Sequence, residues 1–260
     1  MNIVVCVKQI PDPALPGELD PSTKTLKREG KLIMDESDSF GVEMGLQLAE
    51  KAGGGEVTVL SMVPAAEQSG LRSALAMGAA KAILVSDEAL AGSDALGTAK
   101  VLAAAIRRAG DVDLVLTATE STDGYTGTVP AQVAELLGWP SLTFAKQVDI
   151  ADGKVTIQRQ TEKGYDAVEA ALPAVVSVTA GVVEPRYPSF KGIMAAKNKP
   201  VDQVSVSDLG LDASEVGWAG ARQEIVDVRQ AEERKAGEKI EDDGTAHERI
   251  VAFLEQLKVI

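Results

Sequence analysis

The chain has 260 residues, 45% of them hydrophobic, which is enough to bury a substantial core. Its 26 basic and 39 acidic residues leave a net charge of −13, and this charge argues against nucleic acid or an anionic membrane surface as a partner. The single cysteine, Cys6, excludes an intrachain disulfide. The first residues have the pattern of a strand, and no apolar run is as long as a membrane helix, so we expect a cytoplasmic protein without stable membrane insertion.

Four short apolar runs have the pattern of buried strands, at residues 3–7, 57–61, 82–85 and 114–117. Between and after these runs, apolar residues recur at helical spacing. The three stripes are Phe40, Met44 and Leu48; Leu96, Ala99, Ala103 and Ile106; and Val129, Val133, Leu136 and Leu137. This alternation predicts an α/β fold with a doubly wound, mostly parallel sheet and helices on both faces. Sheets of this kind bind ligands outside the carboxyl ends of their strands.

The segment at residues 117–130 has the pattern of a strand end, a loop of small residues and a helix start. Gly124 and Gly127 permit a tight turn, and the first amides of the next helix have no intrahelical partner. The hydroxyls of Thr126 and Thr128 add two donors, so the loop suits a phosphate. The alternative is that Thr128 is only a helix N-cap. The first strand–helix turn has no G-x-G-x-x-G and the chain has no P-loop motif, which argues against an ordinary NAD-dependent dehydrogenase or P-loop enzyme.

From about residue 141 the pattern changes to alternating strands. Residues 148–150 and 155–159 flank a turn at 151–153, which predicts an antiparallel hairpin that extends the edge of the sheet. A further strand follows at residues 172–179. The next segment, 183–200, contains two prolines around an aromatic residue and a second aromatic near Gly192, so it predicts an exposed turn; its composition also fits an ordinary solvated loop that closes into a short helix.

The chain becomes polar after Pro200, most clearly between residues 232 and 248. It ends in an amphipathic helix whose apolar residues are Ile250, Val251, Leu254 and Leu257. We therefore predict an α/β domain at residues 1–200 and a C-terminal arm at 201–260. The arm either wraps around another subunit or folds back onto its own sheet.

Seven sequence blocks follow one another in the order typical of a known family. They are V-C-V-K-Q at 5–9, M-D-E-S-D at 34–38, A-L-A-M-G-A at 74–79, the loop at 121–129, L-G-W-P at 137–140, L-P-A-V at 172–175 and E-P-R-Y at 184–187. This ordered set closely resembles the electron transfer flavoprotein β subunits. The resemblance covers residues 1–200 well and the arm loosely.

The resemblance implies a heterodimer with an electron transfer flavoprotein α subunit, which the C-terminal arm would contact. The α subunit would hold most of a redox-active FAD, and this chain would bind AMP as a structural nucleotide. The AMP-binding residues carried over by motif position are Cys6, Asp35, Met62, Ser121, Thr122, Asp123, Gly124, Thr126, Gly127, Thr128 and Val129. Some branches of the family place a second FAD at this position and split electron pairs between two acceptors.

Two departures from the family pattern affect this site. The family loop reads D-G-D-T-x-Q-V-G, and here residues 123–130 read D-G-Y-T-G-T-V-P. Pro130 therefore removes one backbone donor. The family often has Asn-Pro-Phe after Met34, whereas this chain has Asp-Glu-Ser at 35–37, so we expect added negative charge beside the phosphate site.

The segment at residues 184–197 resembles the loop with which the family docks onto dehydrogenases. The carried-over docking residues are Glu184, Pro185, Arg186, Tyr187, Phe190, Ile193 and Met194. Phe190 takes the position of an apolar anchor, often Leu, that fills a pocket on the donor. The alternative is that Phe190 is tucked under its own loop.

Arg159 and Gln160 correspond to the hairpin position that helps to orient the flavin domain of the α subunit. Many relatives have an acidic residue where this chain has Gln160, so we expect a weaker switch here. Both residues could equally be a solvated hairpin edge.

The sequence offers few residues for catalysis. The only histidine, His247, lies in the charged arm, and Cys6 lies within a strand, where it is inert core or a pocket wall. We expect no metal site and no substrate turnover by this chain.

The resemblance implies an electron carrier that accepts electrons from acyl-CoA and related flavin dehydrogenases and passes them to a membrane quinone oxidoreductase. Alternatives are an electron-bifurcating subunit, a free-standing ATP- or AMP-binding sensor, and a nucleotide hydrolase or transferase, which lacks an identifiable base.

Overall fold

The structure is a computed structural model that describes residues 1–229 and 237–260. The first part of the predicted polar run, residues 232–236, lies outside the described residues. The chain forms two compact units, residues 1–225 and residues 226–260. Among the described residues, no helix has both the length and the apolar character needed to cross a bilayer.

The first unit contains the described strands and most of the helices. The strands are β1 (Asn2–Cys6), β2 (Gln9–Pro11), β3 (Leu32–Met34), β4 (Glu56–Val63), β5 (Lys81–Ser86), β6 (Leu114–Ala118), β7 (Ser141–Ala151), β8 (Lys154–Thr161), β9 (Gly164–Ala171), β10 (Ala174–Val178) and β11 (Val201–Val204). The helices are α1 (Glu36–Lys51), α2 (Ser69–Met77), α3 (Ala95–Arg108), α4 (Val129–Leu137), α5 (Phe190–Ala196) and α6 (Gly217–Gly220).

Nine strands form one sheet in the order β11-β5-β4-β1-β6-β10-β7-β8-β9, and β2 and β3 form a separate antiparallel pair. Strands β11 to β7 are parallel, while β8 and β9 add antiparallel strands at one edge. The chain runs from β1 outward through β4 and β5, then returns to β6 on the other side of β1. The switch point of the sheet therefore lies between the carboxyl ends of β1 and β6. The predicted doubly wound α/β fold is confirmed.

The two faces of the sheet bury two apolar layers, because alternate residues of a strand point to opposite faces. On β1, Val5 belongs to the layer that α1 and α2 cover, and Val4 and Cys6 belong to the layer that α3 and α4 cover. All three predicted helical stripes lie in α1, α3 and α4. Each stripe contributes buried residues to its layer, which explains why its spacing was visible in the sequence.

The predicted hairpin is present as β7 and β8, and a third strand, β9, extends it further. The sheet also continues past residue 200, because β11 pairs in parallel with β5. The second unit contains helix α7 (Ala246–Gln256), which carries the predicted apolar residues Ile250, Val251 and Leu254, and Leu257 ends it.

Candidate functional site

The switch point brings the loop at residues 121–128 against the start of α1, and Asp35 joins the two. Asp35 is fully buried and is the N-cap of α1, where one carboxylate oxygen accepts from the Ser37 amide at 3.1 Å and the Ser37 hydroxyl at 2.7 Å. Its other oxygen accepts from the amide of Thr122 at 2.7 Å and from the hydroxyl of Thr122 at 3.0 Å. Negative charge was expected here from Asp35 and Glu36. The carboxylate of Asp35 instead holds the loop through its hydrogen bonds, and Glu36 is exposed to solvent.

Asp123 fixes the same loop through two basic residues, Lys8 of the first family block and Arg28, which lies in none of the blocks. Its side chain is 5% exposed and accepts from Lys8 Nζ at 2.5 Å and from the Arg28 guanidinium. Lys8 also donates to the hydroxyl of Ser121 at 3.1 Å. Burial alone would raise the pKa of Asp123, but Lys8 and Arg28 outweigh it and hold the pKa below its usual value. Arg28 lies 95 residues from Asp123, so no local pattern could have indicated this contact.

Asp38 contacts the backbone on both sides of the switch point. It is buried and accepts from the amide of Lys8 at 2.6 Å and from the amide of Ala118, so it joins the chain just after β1 to the end of β6. Burial raises the pKa of Asp38 well above its usual value despite these bonds. Burial, with a smaller contribution from the charge of Asp38, also raises the pKa of Cys6 to about 12. Cys6 is thus an inert residue of the apolar core.

A cleft of about 330 Å³ opens between the first turns of α3 and α4, on the face of the sheet to which Cys6 and Met62 belong. Its lining residues are Asp94, Ala95, Leu96, Thr126, Thr128, Gln132, Arg222 and Gln223. Only Thr126 and Thr128 were selected from the sequence. The remaining residues come from segments that meet here only after folding, and no motif marks them.

The two helix starts at this cleft differ. The α3 start is closed, because Asp94 accepts from the amides of Gly97 and Arg222, each at 2.7 Å. Burial alone would raise the pKa of Asp94, but these amides hold the pKa below its usual value. At α4, Thr128 occupies the N-cap position, yet its side chain makes no capping hydrogen bond. Thr128 is therefore the N-cap of α4 by position, as the alternative has it, but its side chain does not satisfy the first amides of the helix.

Gln132 lies one turn into α4, and its side-chain oxygen is buried without a hydrogen-bond partner among the described residues. Its amide nitrogen is 3.4 Å from the Thr128 hydroxyl. A buried acceptor without a partner costs free energy unless a ligand or water supplies a donor. The open α4 amides, the two threonine hydroxyls and this acceptor together fit a nucleotide, with its phosphate at the helix start. Pro130 lies in the first turn and removes one donor, as expected.

The second candidate region is the exposed segment at residues 184–197, which ends in α5. Tyr187 is 94% exposed and Phe190 is 80% exposed, while Ile193 and Met194 are each 48% exposed. The alternative that Phe190 is tucked under its own loop is therefore wrong. The segment does close into a short helix, which Ser189 caps by accepting from the Gly192 amide at 3.0 Å. We call Tyr187, Phe190, Ile193 and Met194 the apolar docking surface.

Glu184 is exposed and Pro185 is half-buried, but Arg186 points inward. Its guanidinium contacts Glu43 at 2.7 Å and Glu50 at 2.9 Å, both on α1. These carboxylates raise the pKa of Arg186 further above its usual value. Arg186 thus anchors the segment.

The hairpin residues selected for flavin-domain orientation lie on β8. Arg159 donates to the carbonyl of Thr143 at 3.2 Å and is half-buried, whereas Gln160 is exposed opposite Tyr165 of β9. Next to Thr143, Phe144 has a φ of 59° at an irregularity between β7 and β10 and is 44% exposed. No group of residues in the described ranges has the composition and geometry of a metal site.

The chain is similar in sequence to known proteins. The sequence model of the family described as "Electron transfer flavoprotein domain" matches residues 23–209. The "Electron transfer flavoprotein subunit beta" of Mycobacterium tuberculosis (strain ATCC 25618 / H37Rv) is 41% identical over 264 aligned residues, covering 100% of this chain and 99% of the relative. The protein of the same description from Thermoanaerobacterium thermosaccharolyticum is 39% identical, covering 92% of this chain and 91% of the relative.

A third relative carries a different description. The "Caffeyl-CoA reductase-Etf complex subunit CarD" of Acetobacterium woodii is 38% identical, covering 84% of this chain and 83% of the relative. The family match spans most of the chain, and the first of these relatives aligns with all of it. The resemblance drawn from the seven sequence blocks is confirmed, and the chain belongs to the family of electron transfer flavoprotein β subunits.

Proposed function

We propose that this chain is the β subunit of a heterodimeric electron carrier in the cytoplasm. The complex accepts electrons from flavin-dependent dehydrogenases, such as acyl-CoA dehydrogenases, and passes them to a membrane quinone oxidoreductase. FAD, held mainly by the α subunit, supplies the redox chemistry. The β chain contributes a scaffold, a structural nucleotide site and a docking surface, without substrate turnover of its own.

The observation that carries this proposal is the apolar docking surface. Tyr187 and Phe190 are nearly fully exposed, whereas large aromatic residues of a soluble domain are usually well covered. A small exposed apolar anchor suits a transient complex, because one buried aromatic side chain supplies much of the affinity. A carrier must bind and release its donor in every cycle, so a small interface of this kind fits the proposed task.

The proposed nucleotide is AMP, bound in the cleft with its phosphate at the start of α4. The Thr126 and Thr128 hydroxyls and the open amides near Val129 would hold the phosphate. Gln132 would accept from a nucleotide donor. Gly124 and Gly127 allow the loop to turn at this point, and Gly127 has a φ of 64° that favours glycine.

The remaining carried-over roles also belong to this proposal. Residues 201–260 would contact the α subunit, and Arg159 and Gln160 would help to orient its flavin domain. Gln160 is exposed and uncharged, so it would form a hydrogen bond there instead of an ion pair.

The test is to co-express the chain with the α subunit of its own organism, purify the complex and count the released nucleotides. One FAD and one AMP per heterodimer would support the simple carrier. Failure to form any complex would contradict the proposal and favour the free-standing nucleotide sensor.

A second candidate is an electron-bifurcating subunit with FAD in place of AMP. The description of the Acetobacterium woodii relative as a subunit of a caffeyl-CoA reductase complex favours keeping this candidate, because that relative works together with a reductase. Two FAD per heterodimer in the same experiment would support the bifurcating subunit and contradict AMP binding.

A further inference from the structure

The helix that carries the docking surface is too short to be stable alone. α5 has seven residues, and isolated helices of fewer than about 12 residues are marginal in water. Three of its outward residues, Phe190, Ile193 and Met194, are exposed and contribute little packing. Contacts on the inner side of the segment must therefore hold it in place.

The first anchor joins the segment to the middle of α1. Glu43 is 3% exposed and accepts from Arg186 Nε at 2.7 Å, Nη2 at 3.0 Å and the main-chain amide at 3.2 Å. Gln47, one turn further along α1, donates to the same carboxylate at 2.8 Å. Burial alone would raise the pKa of Glu43, but these bonds hold the pKa below its usual value. The contact is a charged, bidentate pair, which fixes position as well as distance.

The second anchor joins the other end of α5 to α2. Arg72 of α2 donates to the carbonyls of Ala196 and Lys199 at 2.8 and 2.9 Å. In return, Lys199 donates to the carbonyls of Leu75 and Ala79 at 2.8 and 2.7 Å, at the end of α2. Arg72 thus binds carbonyls at and after the end of α5, and Lys199 binds carbonyls at and after the end of α2.

Between the anchors, α5 lies directly on α2. A Cβ atom placed on Gly192 would be 2.5 Å from the carbonyl oxygen of Ala76, so only glycine permits this approach. The segment is therefore held at both ends and at its centre, while its apolar side chains face outward.

We infer that Glu43 is a positioning residue for partner docking: its buried carboxylate holds Arg186, and through it the apolar docking surface, in the geometry that the partner binds. The inference rests on the proposed function of the segment. A surface ordered in advance needs no further ordering when the partner binds, and that cost otherwise weakens association. Glu50 also contacts Arg186 but is 63% exposed, so its pair contributes little.

The test uses the heterodimer with its FAD and an acyl-CoA dehydrogenase of the same organism, with acyl-CoA substrate in excess. The KM for the carrier and kcat are measured for the wild type, Glu43→Gln and the matched control Glu50→Gln. Glu43→Gln keeps the size of the side chain but removes the charge and turns an amide donor toward Arg186. We expect the KM to rise roughly tenfold with kcat unchanged, as for the loss of a charged hydrogen bond, and Glu50→Gln to stay within about twofold.

Two further measurements separate positioning from general destabilisation. Amide hydrogen exchange at residues 186–196 should speed up in Glu43→Gln, while exchange in β1 and β6 stays as in the wild type. In the Phe190→Ala background, Glu43→Gln should add little to the KM, because both changes act on the same contact. If Glu43→Gln folds poorly, Arg186→Lys provides the same test, since lysine keeps the charge but loses the bidentate geometry.

The outcomes are distinct. A raised KM for Phe190→Ala together with an unchanged KM for Glu43→Gln and Arg186→Lys would overturn the positioning role and leave the docking role intact. Fully additive effects of Phe190→Ala and Glu43→Gln would also overturn it. An unchanged KM for Phe190→Ala would overturn the proposed docking function itself.

Discussion

The loop at residues 121–128 and the docking segment at residues 184–197 use charged residues in opposite ways. At the loop, Asp35 and Asp123 are buried, and their carboxylates face inward to fasten the backbone. At the docking segment, the buried carboxylate of Glu43 holds Arg186, and the apolar side chains of the segment are exposed to solvent. Helix α1 serves both regions, because Asp35 caps its start and Glu43 lies two turns further on. One helix thus holds both the loop that borders the cleft and the segment that carries the apolar docking surface.

The largest effect is expected from Asp35→Ala, which should disturb the loop at 121–128 but not the docking segment. The substitution leaves the Thr122 amide and the start of α1 without their acceptor, at a site with no exposure to water. We expect the free energy of unfolding to fall by about 2–4 kcal/mol, and AMP to be lost from the purified complex. Urea unfolding and nucleotide counting measure both.

The matched control is Glu36→Ala, at the exposed neighbouring position, with a change within about 0.5 kcal/mol. The KM for the dehydrogenase should stay unchanged in any Asp35→Ala protein that folds. Full AMP occupancy in Asp35→Ala would contradict the fastening role of this carboxylate.

Gly192→Ala should disturb the docking segment and leave the loop at 121–128 intact. Alanine normally favours a helix over glycine by roughly 1 kcal/mol, but here its Cβ would overlap the Ala76 carbonyl. We expect a net loss of about 1–3 kcal/mol in the free energy of unfolding and a raised KM for the dehydrogenase, with AMP retained. Lys191→Ala, exposed on the same helix, is the control. Improved stability of Gly192→Ala would show that α5 can move away from α2 at no cost.

Asp123→Asn tests the ion pairs of the loop, because its effect on the free energy of unfolding should depend on pH. The folded-state pKa of Asp123 lies below the unfolded value, so its stabilising contribution is complete above the unfolded pKa of about 4 and is lost as the pH falls through the folded pKa. We expect a loss of about 1–2 kcal/mol at pH 7, since Lys8 and Arg28 keep access to water. The difference from the wild type should shrink as urea unfolding is repeated at lower pH down to about 3. A constant difference at every pH would rule out the ion pairs as its cause.

The smallest effect concerns Cys6, a core residue at the end of β1. With a pKa of about 12 and a buried side chain, the thiol should resist alkylation by iodoacetamide at about pH 8 in the folded protein. The same reagent should react readily in urea, as mass spectrometry would record. Rapid labelling of the folded protein would mean that the carboxyl end of β1 is open to solvent.

The sequence predicted those parts of the fold that have a local period. The stripes of α1, α3 and α4 and the central strands were recognisable because burial on one face repeats at a fixed spacing. Strand β9 was missed because its sequence, G-Y-D-A-V-E-A-A, has few residues that favour strands. It is a strand because it pairs with β8. Strand β11 was missed for a similar reason, because only its position beside β5 orders it.

Sequence can propose site residues where a motif is continuous, but not where a contact is assembled by the fold. The loop at 121–128 and the docking segment are single stretches, so the resemblance could propose residues in them. The contacts of Arg28 with Asp123 and of Arg186 with Glu43 join residues that are 95 and 143 positions apart. Contacts of this kind depend on how the crossovers bring helices together, which residue spacing cannot indicate. The same holds for Arg222 and Gln223 at the cleft.

The buried carboxylate of Asp38 would affect the rate at which the proposed nucleotide exchanges. It accepts from the amides of Lys8 and Ala118 and so joins the two strands on either side of the switch point. These strands lie in the middle of the sheet, and spreading them would leave two buried amides and a carboxylate without partners, at a cost in free energy. We therefore expect the residence time of the proposed nucleotide to depend on the opening of the loop at 121–128 instead, where the contacts with Asp35 and Lys8 would have to break first.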